Sequence, residues 1–172
     1  MSAKVVVLGS VQDGGYPQTG CKSICCQTED GKQRFVSCLG IMDEITEKFW
    51  LIDITPDFKH QLKLMDTNYS VSNLAGVFIT HAHFGHYTGM LELGKEVMNT
   101  DSIPVYVLPK MAHVLENNDP WKQLVHNENI KLIQVQDNEE IALTETVSVH
   151  PFLVPHRAEI SETAGFKIQG ES

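Results

Sequence analysis

Three histidines stand within six residues in Thr80-His81-Ala82-His83-Phe84-Gly85-His86, directly after the short apolar run Gly76-Val77-Phe78-Ile79-Thr80. A strand that ends on such a cluster constrains the chain strongly, because loops at strand ends are where a rigid scaffold presents chemistry. Two imidazoles two residues apart converge on one ion when the backbone turns sharply, and a third at the start of a helix approaches from another side. Neutral imidazole is a preferred zinc ligand. A single histidine is usually an ordinary surface or core residue, but three this close are costly to keep unless protons or a metal occupy their nitrogens. His156, in Val154-Pro155-His156-Arg157 after a predicted strand, is the fourth candidate. With His81 and His83 it would make a three-histidine site that leaves one coordination position for water. His60, His113, His126 and His150 read as structural or exposed.

The surroundings read as a layered fold. Lys4 to Leu8 is expected to form a buried strand, followed by a long loop that carries Gly14-Gly15-Tyr16-Pro17 and runs to about Gln33. Phe35 to Met42 and Phe49 to Ile52 suit a hairpin. Thr55-Pro56-Asp57 opens a helix with Phe58, Leu62 and Met65 at helical spacing. Met90, Leu91, Leu93, Val97 and Met98 predict an amphipathic helix ending near Asn99, and Pro109 begins another through Met111, Val114 and Leu115. Strands are expected at Ile103 to Leu108, Ile130 to Val135, Ile141 to Leu143 and Val147 to Val154, with Ile168 to Ser172 resembling an interrupted strand. Strands with interposed helices indicate an α/β or α+β layered architecture, and 172 residues suit one domain spanning 1–172.

Charge narrows the partners. Thirteen Lys and Arg against 22 Asp and Glu give a formal net charge of -9, which argues against a generic binder of nucleic-acid backbones. No apolar run approaches the about 20 residues that cross a bilayer, and no targeting segment precedes the first strand, so a cytoplasmic protein without a membrane partner is expected.

Cys21, Cys25 and Cys26 crowd into the long loop. This suits a structural zinc or free thiols better than a disulfide framework, and the fourth ligand of a tetrahedral site is not identifiable. Cys38 belongs to a predicted strand and the core. Asp13 and Asp53 are the carboxylates placed at strand ends to touch the histidines. Asp53 could fix a ligand's tautomer by accepting its other ring N–H, with loop capping the alternative; for Asp13 capping is the more ordinary role. Gly14-Gly15 reads as a tight turn, since no Lys-Ser/Thr pair follows to make a phosphate cradle.

The histidine cluster resembles the metallo-β-lactamase superfamily signature His-x-His-x-Asp-His, with Gly85 where the signature has Asp. Leu8-Gly9-Ser10-Val11-Gln12-Asp13-Gly14-Gly15-Tyr16-Pro17-Gln18, the Cys21 to Cys26 cluster, Trp50-Leu51-Ile52-Asp53 with Thr55-Pro56-Asp57-Phe58, and Pro155-His156-Arg157 with Ser161-Glu162-Thr163 are similar to the coenzyme PQQ synthesis protein B branch. The resemblance implies an αββα sandwich, of which this chain is expected to be the N-terminal part, since a bridging Asp and a last His follow in the superfamily. It implies His81, His83 and His156 at a first metal and His86 at a second, with a single Zn2+ favoured because Gly85 cannot ligate; iron or copper remain open to imidazole ligands.

Three functions follow as expectations. The first is a metal-dependent hydrolase of a small-molecule substrate, with His81, His83, His86 and Asp53 in the catalytic machinery. The second is a biosynthetic or redox accessory enzyme of the PQQ type, and the third a non-catalytic metal-binding module. Homo-oligomerisation or completion by a C-terminal half is expected to close the open sheet edge.

Overall fold

The structure is a computed structural model that describes residues 3–27, 33–68 and 74–170. Six strands follow one another across the larger sheet in chain order: β1 (Ala3–Gly9), β2 (Cys38–Asp43), β3 (Lys48–Ile52), β4 (Leu74–Phe78), β5 (Ile103–Val107) and β6 (Ile130–Gln134). The first two pairings are antiparallel and the remaining three parallel. Parallel neighbours need a crossover, and the connecting helices supply it: α2 (Phe58–Asn68) between β3 and β4, α3 (Phe84–Tyr87) with a 3-10 turn (Thr88–Leu93) between β4 and β5, and α4 (Pro109–Asn117) and α5 (Trp121–His126) between β5 and β6. A single-turn helix, α1 (Ile24–Gln27), interrupts the long loop after β1. The second sheet is antiparallel, β7 (Ile141–Ala142), β8 (Val147–Leu153) and β9 (Ala164–Gly170).

The alternation of side chains along each central strand explains the layering. Phe49 and Leu51 of β3 and Val77 of β4 face the helices, where they pack with Phe58, Met65, Met90, Leu93, Met111 and Leu115. Their neighbours Trp50, Ile52 and Phe78 face the other way and pack with Val147 and Val149 of the second sheet. Phe78 stacks on Tyr106 at 4.4 Å between ring centroids and meets Phe166 edge-on at 5.3 Å. Strands covered on both faces read as unbroken apolar runs, as Phe49 to Ile52 and Val77 to Ile79 do. The helix, sheet and sheet layers match the metallo-β-lactamase sandwich expected from the sequence.

Several expectations are corrected. The run Lys4 to Leu8 is not a buried strand: β1 lies at the sheet margin, with Val5 and Val7 50% and 66% exposed and only Leu8 fully buried. No helix continues to Asn99, because the segment after the 3-10 turn leaves helical geometry at Gly94 (ψ 175°), and Val97 and Met98 lie exposed. The strand drawn from Phe35 begins at Cys38, its first residues joining the loop through isolated bridges of Val36 to Val11 and Arg34 to Tyr16. Helix α5 was not anticipated. The strand drawn from Ile168 is the end of β9, which pairs with β8 from Ala164 onward; Glu171 and Ser172 lie outside the described residues.

Candidate metal centre

The histidines are delivered by both sheets. His81 and His83 sit on the loop that leaves β4, and His156 on the loop that leaves β8. Two hydrogen bonds fasten these loops together: the Ala82 N–H donates to Ser161 Oγ at 2.9 Å, and the Ala164 N–H donates to the Thr80 carbonyl at 2.9 Å. One ligand atom from each of His81, His83 and His156 then falls within 4.8 Å of the others. Nε2 of His81 and Nδ1 of His83 approach to 2.8 Å. Tetrahedral zinc, with Zn–N of about 2.0–2.1 Å, sets its ligand atoms roughly 3.3 Å apart, so the set accepts such an ion with small ring movements. His81 is buried, His83 half-buried and His156 exposed, leaving the cluster open on the side of His156.

Outer contacts fix which nitrogen faces the centre. Asp53, at the end of β3, is 4% exposed and has a left-handed backbone (φ 65°), a conformation that asparagine and aspartate tolerate better than most side chains. Its carboxylate accepts from the Thr80 N–H at 2.8 Å and from the Thr80 hydroxyl at 2.9 Å. The hydroxyl oxygen lies 2.9 Å from Nδ1 of His81, so His81 donates Nδ1–H and turns the Nε2 lone pair inward. The other carboxylate oxygen of Asp53 is 2.6 Å from Nδ1 of His86. Nε2 of His83 faces Glu159 at 3.5 Å, which leaves its Nδ1 for the centre.

Burial, followed by the charges of His86, His83 and His156, lowers the His81 pKa to about 4, so the imidazole is neutral near pH 7, the state in which it can ligate. Burial opposes charge on His86 as well, but the hydrogen bond and charge of Asp53, aided by Asp13, outweigh it and raise the pKa of that ring. Burial raises the Asp53 carboxyl pKa, against the lowering pull of His86 and Thr80.

His86 stands beside the three-histidine group, its ring centroid 4.2 Å from that of His81. It is held there by the backbone: the Ile54 N–H donates to the His86 carbonyl at 3.0 Å, and the Gly89 N–H to the Ile54 carbonyl at 3.0 Å. A Cβ on Gly89 would lie 2.0 Å from the Thr55 carbonyl oxygen, so only glycine permits this approach.

Cys21, Cys25 and Cys26 line the same cavity as the histidines, a space of about 970 Å³. Cys25 and Cys26 Sγ atoms are 4.0 Å apart, and none of the four cysteines forms a disulfide. Among the described residues, Cys21, Cys25 and Cys26 do not form a group close enough to hold an ion. Cys38 is buried beneath the site, 3.4 Å from the Asp53 carbonyl. His60 stacks on Phe35, His113 lies near Asn117, and His150 near Ser148. The sequence does not assign the roles of Thr80, Glu159 and Ser161: Thr80 is adjacent to His81 and Ser161 belongs to a motif shared with the resembling family, but the contacts of Glu159 and Ser161 depend on tertiary structure.

Residues 50–172 match the β-lactamase superfamily domain. Coenzyme PQQ synthesis protein B of Xanthomonas euvesicatoria pv. vesicatoria is 27% identical over 99 residues, 52% of this chain and 33% of that protein. An octanoyltransferase of Porphyromonas gingivalis is 35% identical over 92 residues, 52% of this chain but 18% of that protein. Among solved structures, Zn2+-bound PqqB from Methylobacterium extorquens superposes with a TM-score of 0.79 at 22% identity, covering 96% of this chain and 61% of that one. A diphosphatase of the PhnP family gives 0.74 at 24%, covering 98% and 62%. The chain thus spans less than two thirds of the length of these relatives. With the fold, the histidine cluster and the match of residues 50–172 in agreement, the chain belongs to the metallo-β-lactamase superfamily.

Proposed function

We propose that this chain carries the metal site of a zinc-dependent hydrolase acting on a small molecule, within one metallo-β-lactamase-like domain spanning 1–172. The observation that carries the reading is the convergence of His81, His83 and His156 from two sheets, with the lone pairs of His81 and His83 directed by outer partners and one side open. A divalent ion on three imidazoles supplies Lewis acidity toward a carbonyl or phosphoryl oxygen and brings the pKa of water toward about 7. The remaining roles belong to the chain. Thr80 and Asp53 hold the His81 tautomer, and Asp53 holds the His86 ring at the edge of the cavity. The cavity volume suits a small-molecule substrate. The acidic balance of the chain favours such a substrate over nucleic acid.

Elemental analysis of the purified protein tests this: about one zinc per chain at the three-histidine site, lost in His81→Ala and in His156→Ala, is expected. Activity on one member of a panel of esters, lactones, β-lactams and phosphodiesters should depend on that ion. Retention of the ion in both variants would remove the proposal. The relation to coenzyme PQQ synthesis protein B favours a second reading, a biosynthetic enzyme whose histidine site takes iron or copper. A redox-active metal in the protein as isolated, with no hydrolysis on the panel, would select it.

A further inference from the structure

Gly85 leaves a gap in the superfamily signature that another part of the chain fills. A Cβ built on Gly85 would lie 2.7 Å from Cα of Asp13 and 2.9 Å from both its Cγ and Oδ1. The volume that a side chain at position 85 would take is therefore occupied by a carboxylate delivered from the loop after β1. Asp13 Oδ1 lies 3.4 Å from Nε2 of His86, close to the roughly 3.3 Å that separates two ligand atoms on one tetrahedral ion. The opposite ring nitrogen of His86 is already engaged by Asp53 at 2.6 Å, so Nε2 is the atom turned toward Asp13 and the cavity.

The loop is strapped down well enough to hold this position. The Ser10 and Val11 N–H groups donate to the Phe35 carbonyl at 2.9 and 3.2 Å, and the Ser37 N–H donates to the Val11 carbonyl at 2.8 Å. Just past Asp13, the Gly15 N–H closes a turn on the Gln12 carbonyl at 2.9 Å, with Gly15 in the left-handed region at φ 68°.

We propose that Asp13 supplies the carboxylate missing at Gly85, so that Asp13 and His86 form a second divalent-cation site beside the three-histidine cluster. The idea rests on reading that cluster as a metal site. It makes Gly85 a requirement of close packing against Asp13 and not the mark of a decayed centre. A hard carboxylate oxygen paired with an imidazole suits zinc, manganese or iron, and two ligands from the described residues leave the ion's other positions to water or substrate.

The full chain, stripped with a chelator, would be titrated with Zn2+ by calorimetry and with Co2+ by visible absorption, where thiolate-to-cobalt bands separate any ion held by the cysteines. Two ions outside thiolate are expected. Asp13→Asn should keep the first and weaken the second at least about tenfold, the scale on which even outer partners of a ligand act. The exchange Asp13→Gly with Gly85→Asp should restore the second, because carboxylate and hydrogen change places. A second ion bound equally by wild type and Asp13→Asn, or one ion alone in the wild type, would overturn the proposal. If Asp13→Asn does not fold, the exchange variant decides: two ions sustain the site and one overturns it. His156→Ala separates the two ideas, since an unchanged first ion there removes the three-histidine reading itself.

Discussion

The cavity has two unlike walls. On one side, His81 stands on the loop that leaves β4 and His86 in α3, each ring fixed through a hydroxyl or carboxylate that is itself satisfied. On the other, Cys21, Cys25 and Cys26 belong to a loop with a single helical turn, where the Sγ atoms of Cys25 and Cys26 lie 4.0 Å apart and the three thiols form no ion-holding group among the described residues. The difference shows what makes a ligand set out of reactive side chains. Spacing in sequence brings three thiols as near together as three imidazoles, but Cys21 and Cys26 bond to one another and to their own loop, whereas His81 and His86 are oriented by a hydroxyl and a carboxylate from strand ends.

The sharpest way to break this contrast is to remove the partner shared by two rings. Asp53→Ala should lower stability by about 3 kcal/mol or more, because it strips a buried hydrogen-bonded charge from Thr80 and His86; denaturant unfolding checks it, and a change below about 1 kcal/mol would show that the rings hold themselves. Gly85→Asp alone should be destabilising by about 1–3 kcal/mol through overlap with Asp13, or about 2–4 °C in Tm per kcal/mol. An unchanged melting temperature would mean the loop moves aside freely.

The pH response comes next. His81 titrates near 6.5 when unfolded and at about 4 when folded, so the unfolded chain binds more protons between these values. The metal-free protein should be fully stabilised by this group above about 6.5 and lose that contribution as pH falls toward about 4. In His81→Gln that part of the slope should vanish, as thermal melts across the range would record. The smallest effect is expected on the far wall: Cys21→Ser, Cys25→Ser and Cys26→Ser should each alter stability by no more than about 0.5 kcal/mol and leave the ion count unchanged. Loss of an ion in any of them would make the two walls alike.

What the sequence made legible follows from locality. β3 and β4 could be read because burial on both faces writes an unbroken apolar run, and α2 because Phe58, Leu62 and Met65 keep helical spacing. The segment after Met90 misled because Met90 and Leu93 are buried by a 3-10 turn, whereas Val97 and Met98 supply apolar residues at similar intervals on the surface. Helix α5 was hidden behind Asn117-Asn118-Asp119-Pro120, which reads as loop. The grouping of His81 and His83 was written in residues two apart, but the contact of Asp13 with Gly85 was not. It depends on a loop laid across the sheet, and no local pattern could announce it.

The bonds from Ala82 to Ser161 and from Thr80 to Ala164 tie the ends of two strands in different sheets, and an ion on His81, His83 and His156 would bridge the same seam. Such an ion would act as a rivet. Bound to the native state alone, it would hold the sheets closed by about 4 kcal/mol when free ion exceeds its Kd a thousandfold. Occupancy would thereby govern how often the β7–β9 layer lifts from the rest of the molecule, and amide protons along β8 and β9 would exchange with solvent at a pace set by metal concentration.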